Sequence, residues 1–125
     1  MDLLDCTTEF MRLAGQNVKG GDFDRFDVTQ LRQDLLQEEV VEYFDAELVD
    51  DLVGTVDGLL DIIVIAWGTL LSYVGEGRAK AAAAEVARSN LDKVRGEIKR
   101  RLDGKILKPE GWEPPDIAGV LEGLA

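Results

Sequence analysis

The chain of 125 residues contains no histidine, one cysteine and three prolines, and its 14 lysines and arginines are outnumbered by 25 aspartates and glutamates. Without histidine, and with Cys6 distant from the acidic clusters, any metal site must be built from oxygen donors. A single cysteine cannot form an intramolecular disulfide, and the start, Met1-Asp2-Leu3-Leu4-Asp5, lacks the basic flank of a secretory leader; a reducing cytoplasm is the expected compartment. Three prolines leave little to divide the chain, so one domain over residues 1–125 with one core is expected, without linker or internal repeat. The net charge of −11 repels nucleic acid and anionic membrane. The longest apolar run, residues 59–74, contains Asp61 and is shorter than the roughly 20 residues that span a bilayer, so it is expected to be a buried core helix. No nucleic acid polymer and no membrane is expected as a partner.

What is present is unevenly distributed. Residues 1–77 carry 17 acids and 4 bases, whereas residues 78–125 carry 8 acids and 10 bases. Solvated helix faces are the plain explanation of such a split. The sharper one is an acidic metal-binding half and a basic anion-binding half.

Apolar residues near helical spacing predict a first helix over residues 3–13, with Gly15 as its C-terminal cap. Residues 15–26, with Gly20-Gly21, have loop chemistry. Asp27 or Thr29 caps a second helix running to about Ala46, and a third begins near Val49 or Asp50 and runs to Val74. Around residues 59–71 the third helix has almost no polar face, so it must be covered on all sides, in part by a second subunit. A fourth helix is expected from about Ala79 to Leu102, ending in Lys99-Arg100-Arg101, which suit a helix C-terminus. An irregular tail and a short last helix over residues 117–124 follow. No segment alternates well enough to be a strand, so the expected class is all-α, a four-helix bundle whose core is completed by oligomerisation.

Glu38, Glu39 and Glu42 crowd one stripe of the second helix, where three carboxylates repel one another without a counter-ion. On the third helix Asp57 and Asp61 are four residues apart, and Asp61 sits within Leu59-Leu60-Asp61-Ile62-Ile63. Burying an unpaired carboxylate costs several kcal/mol, which a bound cation offsets. Two antiparallel helices joined by a short connection would bring the stripes together as an all-oxygen site suited to Mg²⁺ or Mn²⁺. A solvated acidic face explains the glutamates alone, but not Asp61.

The order Glu38-Glu39-Val40-Val41-Glu42, then Asp57-Gly58-Leu59-Leu60-Asp61-Ile62-Ile63-Val64, then Gly68-Thr69, resembles the MazG-like all-α NTP pyrophosphatases. This superfamily includes phosphoribosyl-ATP pyrophosphohydrolases and dimeric dUTPases. Three further stretches agree, so the resemblance covers most of the chain: Phe10-Met11 with Gly15-Gln16, Glu85-Val86-Ala87-Arg88-Ser89-Asn90 with Lys93, and Gly104-Lys105-Ile106-Leu107-Lys108-Pro109. One position departs from the pattern. The family's second motif is often Glu-x-x-Asp, and here Gly58 stands where the glutamate would be, with Asp57 beside it.

The resemblance implies Mg²⁺-dependent hydrolysis of a nucleoside triphosphate to the monophosphate and pyrophosphate, with Mn²⁺ able to substitute. Metal ligands are expected at Glu39, Glu42 and Asp61, joined by Asp57 and Glu38; Glu38 is equally a candidate for orienting or deprotonating the attacking water. Arg88, Lys93, Lys105 and Lys108 are the cations expected on the phosphates, and Gln16 and Asn90 have the donors and acceptors to read a base edge or a sugar hydroxyl. Trp112 and Trp67 could stack on a base, although Trp67, in mid-core, suits packing better. Bacteriophage members that reshape the host nucleotide pool share these blocks, which favours a deoxynucleotide such as dGTP or dUTP and, for a phage protein, the host cytoplasm. A homodimer or dimer of dimers is expected. Two other readings stand beside this one: a non-catalytic acidic helical module that regulates a basic partner, and a passive divalent-ion binder.

Overall fold

A computed structural model describes residues 1–123 of the chain. Its elements are α1 (Leu3–Leu13), a 3₁₀ turn (Asp22–Asp24), α2 (Phe26–Leu48), α3 (Leu52–Val74), α4 (Glu76–Asp92) and α5 (Ile117–Gly123). Among the described residues the only β pairing is an isolated antiparallel bridge between Arg100 and Ile106, so the class is all-α, as expected. The residues fall into two compact units, Met1–Ala79 and Lys80–Ala125, with the boundary inside α4.

The first unit is built on the antiparallel pair α2 and α3. Its turn is tight because Asp51 caps α3, its carboxylate accepting from the Gly54 amide at 2.9 Å, and because Asp50 adopts φ +57, a left-handed conformation that a short polar side chain tolerates. Close approaches fix the alignment of the two helices. Ala46 lies against Gly54, Tyr43 against Gly58 and Arg32 against Gly68, numbers falling on one helix as they rise on the other.

Helix α1 packs on α3 and ends in a Schellman cap, where the Gln16 amide donates to the Met11 carbonyl and the Gly15 amide to that of Arg12, with Gly15 at φ +76. Met11, Trp67, Leu71 and Ala79 form the buried apolar core, and Leu4, Val18 and Val74 pack onto it. The Trp67 indole donates to Thr8 Oγ1 at 2.9 Å, which settles Trp67 as a packing residue with its one polar atom satisfied.

The loop between α1 and α2 is tied to the end of α3 through Asp22. Its buried carboxylate accepts from Asn17 Nδ2 and from Ser72 Oγ, both at 2.8 Å. These two bonds, that from Asn17 foremost, hold the Asp22 carboxyl below the usual aspartate range. A lowered pKa in the folded state contributes stability above the ordinary range that is lost as pH falls through and below it. Asp22→Asn is therefore expected to cost about 1 to 3 kcal/mol at neutral pH and to flatten the fall in melting temperature on acidification, read by circular dichroism between neutral and acid pH.

Several boundaries differ from the sequence expectation. α2 starts at Phe26, with Arg25 as its N-cap residue and no side-chain cap bond, so neither Asp27 nor Thr29 caps it, and it runs two residues past Ala46. α4 ends at Asp92, ten residues before Leu102. Lys99-Arg100-Arg101 therefore do not complement a helix end. They belong to a hairpin-like turn in which the Arg101 amide donates to the Lys105 carbonyl and the Leu107 amide to that of Lys99, both at 2.8 Å, with Gly104 at φ +90. Gly96, followed by the β-branched Ile98, lowers helix propensity where the apolar periodicity alone would carry the helix on. α5 covers Ile117–Gly123; Leu124, the expected end of that helix, lies outside the described residues.

The expected cover of α3 is also incomplete within the chain. Only Gly58, Trp67, Gly68, Leu71 and Ser72 of its 23 residues are buried. Leu52, Val56, Leu59, Ile63 and Leu70 follow one another at alternating intervals of three, four or seven residues along one side, and each is at least 41% exposed.

Candidate metal centre

Glu39 and Glu42 come from the middle of α2 and Asp61 from the middle of α3. Three and four residues are one helical turn, so Glu39 and Glu42 share a face, and the antiparallel alignment places Asp61 opposite Glu39. At about 100° per residue Asp61 points roughly 200° away from Leu59 and its bare apolar side, toward α2. One carboxylate oxygen from each of the three residues lies within 4.8 Å of the other two.

Such a trio repels itself unless something positive compensates. Glu39 Oε2 is fully buried and has no hydrogen-bond partner among the described residues. Loss of solvent, then the charges of Glu42 and Asp61, and then the hydrogen bonds that a protonated Glu39 can share with those two carboxylates, push the Glu39 carboxyl above the usual glutamate range. No lysine or arginine pairs with these acids among the described ion pairs. An unsatisfied buried carboxylate oxygen facing two further carboxylates could hold a hard divalent cation, and all-oxygen donors of this kind suit Mg²⁺ or Mn²⁺.

The structure separates the remaining expected ligands from this trio. Glu38 is exposed and lines an open groove on α2 with Asp34, Gln37, Val41 and Glu42, so it sits beside the trio without joining it. Asp57 is exposed at the first turns of α3 and is likewise outside the three converging oxygens. Gly58 has a local reason: a Cβ there would stand 3.0 Å from Tyr43 Cα and 3.1 Å from Tyr43 Cβ. The two helices meet closely at that point, and any side chain in place of Gly58 would require Tyr43 and its helix to give way by a few tenths of an ångström. Gly58→Ala should therefore destabilise by about 1 to 3 kcal/mol through overpacking, outweighing the gain of up to about 1 kcal/mol that alanine brings to an open helix site. A urea midpoint shifted downward would register it.

Gln16 lies at the α1 cap and lines a cavity of about 200 Å³ between α1, α2 and α3. The other expected substrate-binding residues, Arg88, Asn90, Lys93, Lys105 and Lys108, belong to the second unit. There Trp112 is held by its indole donating to the Ser89 carbonyl at 2.7 Å, and Lys93 Nζ and Lys108 Nζ stand 5.0 and 5.3 Å from its ring centroid. The ring of Trp112 is thus engaged by two cations. Arg88 is committed to Glu85 and Asp92 through ion pairs, and the Asn90 amide oxygen accepts from Lys93 Nζ at 3.3 Å. Lys105 is exposed, its backbone amide donating to Asp103 Oδ1.

Arg32 was not singled out by sequence, since a lone arginine on an amphipathic helix has the signature of a surface base. It is half-buried, and burial lowers its pKa despite the nearby Asp22 and Tyr73. No protein-family model matches the chain, and no curated protein matches it in sequence.

Proposed function

We propose that the chain is a divalent-cation-dependent nucleoside triphosphate pyrophosphohydrolase of the MazG-like type, converting a (d)NTP to its monophosphate and pyrophosphate. The observation that carries this reading is the buried, unpartnered Glu39 Oε2 within the Glu39, Glu42 and Asp61 trio. A buried carboxylate oxygen without a partner is costly, and a cation held by the trio would offset that cost. Mg²⁺ bound there supplies Lewis acidity toward the phosphates and toward water.

The chain's own part is to hold and to orient. Glu39, Glu42 and Asp61 project from two rigid helices packed closely at Gly58, so their oxygens are positioned before any ligand arrives. Glu38, exposed in the neighbouring groove, is the proposed group that accepts a proton from the attacking water. Within the second unit, Lys93 and Lys108, gathered at Trp112, and Lys105, three residues before Lys108, are proposed as anion-binding cations. The bare stripe on α3 supports a homodimer or dimer of dimers.

A regulatory module that binds a basic partner through its acidic face would explain the net charge. It does not explain a carboxylate oxygen turned away from solvent. Hydrolysis in ¹⁸O-labelled water tests the proposal: the label is expected in the monophosphate, with pyrophosphate unlabelled. Inorganic phosphate as the labelled product would replace it with another phosphatase chemistry.

A further inference from the structure

The cavity of about 200 Å³ between α1, α2 and α3 lies close along both helices to the acidic trio. Its α2 wall includes Leu35, four residues before Glu39, and its α3 wall includes Ile65, four residues after Asp61, a rise of about 6 Å on each helix. A cavity of about 150 Å³ already admits a six-membered aromatic ring. Its walls are apolar, with Met11, Leu35, Val64 and Ile65, and its polar lining includes Gln16 and Arg32. Apolar walls with a few convergent polar groups are the usual composition of a small-molecule site.

Arg32 is the informative member. Its guanidinium has Asp22 and Tyr73 in its electrostatic surroundings but makes no hydrogen bond to any described residue. Its Nη1 lies where a Cβ on Gly68 would approach to 3.1 Å, while Met11 Sδ would be 3.0 Å from the same point. Gly68 therefore leaves the space that admits both side chains beside the cavity. The Gln16 side chain, presented by the α1 cap, likewise has no hydrogen-bond partner among the described residues, so donors and an acceptor remain open at the same cavity.

We infer that this cavity is the base-recognition pocket of the nucleotide site, and that Arg32 is its specificity-determining residue, selecting guanine over adenine. The inference rests on the proposed nucleotide chemistry for the position of the phosphates at the trio. A guanidinium presents paired donors and no acceptor. Guanine offers two adjacent acceptors, O6 and N7, to such a fork; adenine offers N7 beside an amino donor, which the fork repels. The Gln16 amide, with both donor and acceptor, complements the remaining polar edge of either base and so adds affinity more than choice.

The test is calorimetric titration of dGMP and dAMP, without added metal, into the wild type, Arg32→Met, Gln16→Leu and Asp61→Asn. The wild type and Asp61→Asn should prefer dGMP by roughly five- to 150-fold, the discrimination of one bidentate arginine–guanine pair. Arg32→Met should bring that ratio close to one, and Gln16→Leu, which lies outside the helices, should weaken dGMP binding several-fold while keeping the preference. Equal binding of the two nucleotides by the wild type, or a preference that survives Arg32→Met, overturns the inference. Should Arg32→Met fail to fold, loss of dGMP affinity in Gln16→Leu supports the pocket, and unchanged affinity overturns it. Failure of the catalytic reading shows separately, as the absence of pyrophosphate release by a wild type that still discriminates dGMP from dAMP.

Discussion

Asp61→Asn is expected to abolish nucleotide hydrolysis while raising the melting temperature of the metal-free protein. The two effects share one cause. Asp61 faces Glu39 and Glu42 across the α2–α3 seam, and Glu39 is already driven toward its protonated form by burial and by those two neighbours. Without a cation, one fewer negative charge relieves repulsion beside the buried Glu39 oxygen, and a gain of up to about 1 kcal/mol corresponds to several degrees in a domain of this size. With a cation required, the same change removes a ligand. Loss of an outer partner of a metal ligand alone commonly costs 10- to 100-fold, so loss of the ligand itself should cost at least about 100-fold in turnover. Glu39→Gln should behave in the same way. Paired measurements of initial rate and of thermal unfolding with a chelator decide it. A fully active Asp61→Asn protein, or one whose metal-free form melts lower than the wild type, would show that the trio is a structural cluster.

The second large effect is expected at the bare side of α3. Leu52, Val56, Leu59, Ile63 and Leu70 make an apolar stripe that no element of the same unit covers. By length and composition α3 is also apolar enough to cross a membrane, yet Asp61 sits at its middle and belongs to a cluster of three acids. A second copy of the stripe is the proposed cover. Sedimentation in detergent-free buffer should show a dimer or tetramer at micromolar concentration, and the double change Leu59→Glu and Ile63→Glu should raise the dissociation constant by on the order of 100-fold or more, since each copy would bury two unpaired charges. A wild type that sediments as a monomer contradicts this, and one that stays dispersed only in detergent favours the membrane instead.

What could be read beforehand depended on whether the responsible interaction was local. The cap at Gly15, the end of α3 at Gly75 and the shared face of Glu39 and Glu42 are consequences of residue spacing, and spacing is all that a sequence displays. Asp61 was legible because an isolated acid in an apolar run requires a partner wherever it lands. The end of α4 was not: apolar residues continue near helical spacing past Asp92 at Val94, Ile98 and Leu102, and the chain turns back at Gly104 into a bridge whose partners are set only by tertiary pairing. Gly58 looked like a missing ligand. Its meaning is the approach of Tyr43 from another helix, which no local pattern announces. Arg32 was passed over for the same reason, because its seclusion depends on the space left by Gly68, far away in sequence. Glu38 lies outside the trio because neighbours one residue apart diverge by about 100°, whereas Asp57 shares a face with Asp61 but stands about 6 Å, one turn, earlier on α3.

The most direct measurement of the central claim is pyrophosphate release from a panel of ribo- and deoxynucleoside triphosphates, with Mg²⁺ titrated from zero in the presence and absence of chelator. The expected result is release of one pyrophosphate per monophosphate from at least one nucleotide, absent without the cation, restored by Mg²⁺ or Mn²⁺, and lost in Glu39→Gln, Glu42→Gln and Asp61→Asn alike. Release that persists under chelation, or no release from any nucleotide by the folded protein with saturating Mg²⁺, would contradict it.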